Sequence, residues 1–148
     1  MTRIGVGMVT FRGGESVTRA LQALRRARDR LDAESELDVV VVDNASEDGT
    51  VERVRQHAPW ARLIESPRNL GFAAACNLGV ARLAKADLIV LLNPDVEVRV
   101  DFLARLAALD WPPHVAARGP AVLGDDEQLE QSARGFPRAR TGVLGRAS

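Results

Sequence analysis

Residues 88–92 are five consecutive apolar residues, Leu-Ile-Val-Leu-Leu, and Asn-Pro-Asp follows them directly at 93–95. A short run of branched apolar side chains that ends at turn residues is typical of a strand buried on both faces of a sheet. Pro94 cannot donate a hydrogen bond to a sheet and disfavours helix in the residue before it. We therefore expect a buried strand to end here. Asp95 then lies at its carboxyl end, where open α/β sheets bind ligands.

The rest of the chain alternates between strand and helix patterns. Apolar residues recur at spacings of three and four over 15–31, which predicts an amphipathic helix, and four consecutive valines at 39–42 favour a strand. By the same reasoning we predict strands over 3–11, 37–43, 61–65, 87–92 and 115–123, and helices over 15–31, 50–57, 72–83 and 100–109. This alternation predicts one α/β domain over 1–148, with a mostly parallel sheet, helices on both faces and right-handed crossovers.

Polar side chains follow the predicted strands at the points where they end. The polar ones are, in chain order, Thr10, Asp43, Arg68, Asn69, Asn93 and Asp95. The aromatic Phe11 lies beside Thr10 at the first of these strand ends. Because the carboxyl ends of parallel strands meet at one edge of a sheet, we expect these residues to converge although they are far apart in sequence.

Two of these residues are aspartates, and each has an ordinary structural explanation. Asp43 by itself is typical of a helix cap or turn, and Asp95 after Asn-Pro is typical of a turn. On one edge of one sheet the pair can do more. One ionised carboxylate can accept hydrogen bonds from a base N–H or a ribose hydroxyl, and a second can ligate a hard divalent cation that bridges phosphate oxygens.

Composition excludes several classes of function. The formal net charge is zero, so no overall field attracts nucleic acid. The four arginines between 132 and 148 are typical of a solvated basic tail rather than of a binding patch. A single cysteine allows no internal disulfide, and no apolar run approaches the length of a membrane span. Without a secretory leader pattern at the N-terminus, we expect a cytoplasmic location, or one at the inner face of the membrane.

Familiar catalytic and nucleotide-binding motifs are also absent from the sequence. The glycines at 5 and 7 lie inside a predicted strand, so they do not form a dinucleotide fingerprint, and those at 13 and 14 do not begin a P-loop. The two histidines are isolated, which argues against zinc, and no Gly-x-Ser-x-Gly elbow occurs. Cys76 lies among alanines in a predicted helix and is typical of a small core residue.

Three segments of the chain occur in a characteristic order. They read Val-Val-Val-Asp-Asn-Ala-Ser-Glu-Asp-Gly-Thr at 40–50, Asn-Leu-Gly-Phe-Ala-Ala-Ala-Cys-Asn at 69–77 and Leu-Asn-Pro-Asp at 92–95. Together they resemble glycosyltransferase family 2, the inverting nucleotide-sugar transferases of the GT-A fold. The Asn-Pro-Asp form, Gly-Pro at 119–120 and the segment 132–137 resemble its rhamnosyltransferase-like members. The resemblance runs from about residue 4 to about residue 137.

The resemblance implies a donor, an acceptor and a metal ion. The donor would be a UDP- or dTDP-sugar, with rhamnose among the candidates, and the acceptor a growing polysaccharide or another cell-surface glycan. Asp95 would ligate Mg²⁺ or Mn²⁺ on the diphosphate, because displacing a nucleoside diphosphate develops negative charge that a divalent ion offsets.

The resemblance also implies individual roles at the sheet edge. Thr10 and Phe11 would line the pocket for base and ribose, and Asp43 would accept a hydrogen bond from a uracil- or thymine-type base. The remaining residues carry less specific roles: base or phosphate contact for Arg68, the wall beside the nucleotide for Asn69, Gly71 and Asn77, and the ribose or sugar side for Asn93.

The chain departs from the family pattern at two points. Arg12 stands where the family usually has Asn after the Thr-aromatic pair. The acidic general base of inverting members belongs to an acceptor-binding half further along, and the late acidic cluster Asp125-Asp126-Glu127 falls in a loop before it. The resemblance therefore implies that the chain is truncated relative to a full catalytic domain and that its general base is unidentified.

Three alternatives remain open at this point. A non-catalytic nucleotide-binding module would bind nucleotide without transferring sugar. An interaction module would expose an apolar surface and self-associate, so a homo-oligomer is an open prediction. A nucleotidyltransferase also places carboxylates on a metal at a sheet edge, but it requires a Gly-rich triphosphate loop, for which 12–14 is too short.

Overall fold

The computed structural model describes residues 1–130 of the 148-residue chain, which divides into two compact units, Met1–Leu109 and Asp110–Ser148. Strands and helices alternate through the first unit. They are β1 (Thr2–Thr10), α1 (Gly14–Arg28), β2 (Ser35–Asp43), α2 (Thr50–His57), β3 (Arg62–Glu65), α3 (Phe72–Val80), β4 (Leu88–Leu92) and α4 (Phe102–Ala107). That one domain covers 1–148 stays a prediction.

The four strands form one parallel sheet in the order β3-β2-β1-β4. Its register places Thr10 beside Asp43 and Met8 beside Leu92, so the carboxyl ends of three strands lie at one edge. The predicted fold class, α/β with a mostly parallel sheet and helices on both faces, is confirmed.

The valine run of β2 explains why this strand is central. Val39 and Val41 belong to the larger core cluster, whereas Val40 and Val42 belong to a second cluster on the opposite face. Side chains alternate between the two faces of a strand, so an uninterrupted valine run covers both. β1 is different: Ile4, Val6 and Met8 belong to the first cluster and glycines alternate with them, so that only Val9 near its end packs against the second cluster.

Helices cover the two faces unequally. On the first face the fully buried Leu21 of α1, Val54 of α2 and Leu103 of α4 join one core cluster. On the other face α3 packs with Ala75 against the second cluster. A Cβ added to Gly79 would lie 3.2 Å from Val42, so a small residue is what allows α3 to approach the sheet closely.

The prediction that residues 88–92 form a strand buried on both faces is wrong in one respect. The strand is present, but Ile89 and Leu91 are 47% and 56% exposed. β4 lies at the edge of the sheet, and α3 packs over β1 and β2. One face of β4 therefore contributes to the core, and the other exposes apolar side chains within the described part of the chain.

All four predicted helices are present: α2 has the predicted bounds, and the other three are shorter. α1 ends at Arg28, and the chain then turns through hydrogen bonds such as Arg30 N–H to the Ala27 carbonyl. After α3 the last predicted turn is retained as tighter bonds, for example Leu83 N–H to the Val80 carbonyl. These differences are the usual fraying of helix ends.

The predicted fifth strand over 115–123 is wrong: residues 110–130 of the second unit contain no strand beyond an isolated antiparallel bridge between Leu123 and Leu129. The acidic residues 125–127 form the turn between them, where Gly124 N–H donates to the Gln128 carbonyl. The basic tail and the segment 132–137 lie outside the described residues.

None of the helices described between residues 1 and 130 combines the length and the apolar character needed to span a bilayer.

Candidate functional site

A cavity of about 530 Å³ lies at the carboxyl edge of the sheet. Its walls come from the ends of β1, β2 and β4 and from the loop before α3. The lining residues are Val9, Phe11, Asn44, Asn69, Gly71, Phe72, Asn93, Pro94 and Asp95. Five of the nine predicted site residues are therefore brought together on one wall: Phe11, Asn69, Gly71, Asn93 and Asp95.

Two further predicted residues, Thr10 and Asp43, are the paired last residues of β1 and β2. Both are buried, at 0% and 2% exposure. Asp43 Oδ2 accepts a hydrogen bond of 2.9 Å from the backbone N–H of Ser46, whereas its Oδ1 has no partner. Thr10 Oγ1 also has none. Buried polar atoms are normally paired, so these two oxygens are open to a hydrogen bond from a water molecule or a ligand.

Asn44 is a site residue that the sequence prediction missed. It is 3% exposed, and its side-chain amide donates to Asn69 Oδ1 at 2.9 Å while its Oδ1 accepts the Leu70 N–H at 2.8 Å. Asn69 Oδ1 also accepts from the Gly71 N–H at 2.8 Å. The amide of Asn44 thus fixes the loop before α3 against the end of β2. Its place directly after the strand-ending aspartate was the available signal.

The loop after β1 is held by the loop after β2. Thr50 Oγ1 accepts the backbone N–H groups of Gly13 and Gly14, at 3.0 and 3.3 Å. It donates to Asp48 Oδ1 at 2.5 Å, and this hydrogen bond is the main reason why the pKa of Asp48 is lowered from its usual value. The two loops are therefore positioned by side-chain contacts before any ligand binds.

The aromatic wall of the cavity carries a cation. The guanidinium carbon of Arg12 lies 5.1 Å from the centroid of the Phe11 ring. Phe11 is 44% exposed. The backbone of Arg12 has a φ of 53°, in the left-handed region, and its N–H donates to Ser46 Oγ at 2.8 Å.

The last two predicted residues, Arg68 and Asn77, are neither on the cavity wall nor at the paired strand ends. Arg68 is exposed in the loop after β3, where its carbonyl accepts from Ser66 Oγ at 2.6 Å. Asn77 is exposed on α3 and its carbonyl accepts the N–H of Ala81. Their predicted roles toward a nucleotide stay predictions.

Asp95 is exposed and is the single carboxylate on this cavity wall, and residues 1–130 contain no cluster of three or more potential metal ligands. A magnesium-type site needs no such cluster, because Mg²⁺ is commonly held by one or two carboxylates, waters and the phosphates of its substrate. Asp95 therefore fits a metal ion that arrives with a diphosphate.

The parallel sheet, with its cavity at the carboxyl edge, defines an α/β protein of the GT-A class. Within that class the chain belongs to glycosyl transferase family 2, whose family model matches residues 6–139.

A named relative supports this assignment. The chain is 31% identical to an N-acetylglucosaminyl-diphospho-decaprenol L-rhamnosyltransferase of Mycobacterium tuberculosis, in an alignment of 141 residues that covers 87% of this chain and 44% of that protein. The chain thus spans less than half the length of the curated relatives that it matches.

Solved structures share the fold. The chain is similar to Staphylococcus aureus TarS 1–349 in complex with UDP, with a TM-score of 0.60 and 22% identity over 73% of this chain and 31% of that one. It is also similar to a mannosyltransferase from Pyrobaculum calidifontis in complex with GDP-Man and Mn²⁺, with a TM-score of 0.56 and 28% identity over 63% of this chain and 27% of that one.

Proposed function

We propose that this chain is the donor-binding part of an inverting, metal-dependent glycosyltransferase. The donor is a UDP- or dTDP-sugar, and dTDP-L-rhamnose is the first sugar to test, because the M. tuberculosis relative is named as an L-rhamnosyltransferase. The same name makes a sugar linked to a polyprenyl diphosphate the first glycan acceptor to test. The proposed location is the cytoplasm or the inner face of the membrane.

The observation that carries the proposal is the buried, unpaired Oδ1 of Asp43 beside a cavity with an aromatic wall and a carboxylate. A uracil or thymine base offers one N–H donor and a flat π-surface. Asp43 Oδ1 accepts that N–H, and Phe11 supplies the stacking surface at the same edge. Asn93 lines the same cavity and would contact the ribose or the sugar of the donor.

The reaction requires a leaving group that can depart with its electron pair. An acceptor hydroxyl oxygen forms a bond to the anomeric carbon and gives its proton to a general base, which the residues on this cavity wall do not supply. The bond from that carbon to the diphosphate oxygen breaks at the same time, so the configuration inverts. Mg²⁺ or Mn²⁺ would offset the charge that develops on the diphosphate. Asp95 holds that ion at the cavity wall, and Asp43 and Phe11 fix the nucleoside.

A calorimetric titration tests the donor site. We expect UDP or dTDP to bind in the presence of Mn²⁺ and to bind about 10-fold more weakly in EDTA, since charge-assisted ligation to the diphosphate is lost. Asp95→Ala should reduce binding in Mn²⁺ to the EDTA level, while Glu52→Gln, an exposed carboxylate on α2, serves as the control. Binding that is unchanged by both EDTA and Asp95→Ala would contradict the metal role.

A second candidate function is a nucleotide-binding module without catalysis. This function is favoured because Asp95 is the single carboxylate on the cavity wall. If Asp95 ligates a metal ion, no second carboxylate among the described lining residues can act as the general base that takes the acceptor proton. Release of dTDP from dTDP-L-rhamnose with and without acceptor distinguishes the two. Transfer of sugar supports the enzyme, and nucleotide binding without any turnover supports the module.

A further inference from the structure

One face of the Phe11 ring is covered by the guanidinium of Arg12. The distance of 5.1 Å from the guanidinium carbon to the ring centroid falls within the range of a cation–π contact. Phe11 lines the cavity at the carboxyl edge, whereas Arg12 is not among the lining residues. The contact that the structure shows for the guanidinium is with the ring, and the ring also forms part of the cavity wall.

The backbone at Arg12 is strained. A φ of 53° is a conformation that glycine and asparagine adopt more readily than a long side chain does. The hydrogen bond of 2.8 Å from the Arg12 N–H to Ser46 Oγ holds it there. Strain of this kind persists where the surrounding structure enforces it, and it is concentrated at functional sites.

No ion pair explains an arginine at this position. Within residues 1–130, no carboxylate oxygen lies within 4.0 Å of the Arg12 guanidinium. Other arginines of the same unit do form such pairs, for example Arg53 with Glu15 at 2.6 Å. The aromatic ring is the partner that the described structure gives to this cation.

We propose that Arg12 is a positioning residue for the base of the nucleotide donor. Its guanidinium braces one face of Phe11, which holds the ring as a fixed stacking surface for the base on the other face. The inference rests on the proposed donor site but assigns to it a residue that does not touch the ligand. It explains why a strained arginine occupies the position after Phe11.

Calorimetric titration of uridine, UDP and inorganic pyrophosphate, with Mn²⁺ present, tests this role. Arg12→Asn removes the cation and suits the left-handed backbone. We expect Kd to rise about two- to five-fold, by the same factor for uridine and for UDP, because an exposed cation–π contact has about that strength. The Kd for pyrophosphate should not change. Arg12→Lys keeps a cation and should keep Kd within about two-fold of the wild type.

Thermal unfolding separates positioning from a merely structural role. Relief of backbone strain should raise the Tm of Arg12→Asn by about 2 to 4 °C while its affinity falls. Arg30→Asn, an exposed arginine just beyond the other end of α1, is the control and should leave Kd unchanged. If Tm and affinity fall together, Arg12 supports the loop and the inference is wrong.

A double-mutant cycle locates the effect at the ring. In a Phe11→Leu background, Arg12→Asn should have no further effect on the Kd for uridine, because the ring through which Arg12 acts is gone. An equal effect in both backgrounds, or an equal loss of pyrophosphate affinity, would overturn the inference and indicate a direct contact. A wild-type chain that binds neither uridine nor UDP would overturn the proposed function as well, whereas wild-type binding with unchanged Arg12→Asn affinity overturns the inference alone.

Discussion

The two ends of the sheet each carry a cavity, and the larger one, of about 610 Å³, is at the amino edge. Charged side chains line it, and two of them already form ion pairs: Arg3 pairs with Asp87 and Asp38 pairs with Arg62 at 2.7 Å. Among the described residues, no strand end at that edge has a buried side-chain polar atom without a hydrogen bond. No strand end at this edge therefore needs a ligand to complete its hydrogen bonding.

The carboxyl edge has the smaller cavity, of about 530 Å³, and the opposite chemistry. Thr10 and Asp43 each leave a buried oxygen unpaired there, and Arg12 and Ala45 have positive φ values of 53° and 67°. Unsatisfied atoms and strained backbone cost stability, and they persist where binding makes use of them. The comparison teaches that unsatisfied buried groups, more than cavity size, indicate the functional end of this sheet.

The largest expected effect is at the buried carboxylate of the carboxyl edge. Asp43→Asn replaces an acceptor with an amide, whose NH₂ group would face the N–H of the ligand if the amide oxygen keeps the Ser46 hydrogen bond. We expect the Kd for UDP or dTDP to rise about 10- to 100-fold, because hydrogen bonds to charged groups contribute about 1.5–3 kcal/mol. Isothermal calorimetry measures it, and a loss of under two-fold would contradict the role assigned to Asp43.

At the amino end we expect an effect on stability without an effect on binding. A Cβ added to Gly5 would lie 2.9 Å from the Ala86 Cβ, so Gly5→Ala should reduce the free energy of unfolding by about 1–3 kcal/mol. The matched control is Gly7→Ala in the same strand, where the nearest atom is Leu91 Cδ2 at 3.6 Å. Urea unfolding compares the two, and equal stabilities would show that the contact at Gly5 relaxes.

A smaller effect is expected from the ion pair at the amino edge. Asp38→Asn breaks the pair with Arg62, whose two side chains are both about half exposed. Exposed pairs contribute about 0–1 kcal/mol, so the free energy of unfolding should fall by less than about 1 kcal/mol. Nucleotide Kd should not change. A clear loss of affinity would place a ligand at the amino edge and reverse the comparison.

The smallest effect is expected at Asp48, whose hydrogen bond from Thr50 lowers its pKa below the usual 3.8. A lowered pKa in the folded state contributes stability above 3.8, and this contribution is lost as the pH falls through the folded-state value. Asp48→Asn should therefore lose slightly less stability than the wild type as the pH falls from about 5 to about 2. Urea unfolding across that range measures the difference, with Glu47→Gln as the exposed neighbouring control. Parallel profiles would contradict the assignment.

Much of the site could be predicted because its signals are local. Asp43 follows a valine run and Asp95 follows an apolar run and a proline, so each strand end was visible in the sequence. Parallel pairing then forces those ends to one edge. Asn44 was missed because its importance depends on Asn69, 25 residues away, whose loop it fastens.

The errors in the fold have a common physical origin. An apolar run such as 88–92 specifies a strand but not its neighbours, so its exposed face follows from β4 being at the edge of the sheet. The predicted fifth strand over 115–123 fails for a related reason, since an apolar stretch becomes a strand only where a partner pairs with it.

The sequence by itself determined the alternation of strands and helices, the α/β class and the residues that end each strand, because periodicity and turn chemistry act between near neighbours. The tertiary structure alone decided which strand lies at the edge, which buried oxygens stay unpaired and that Ser46 Oγ accepts the Arg12 N–H. These properties depend on contacts between distant segments and on the water that packing excludes, and no local pattern encodes them.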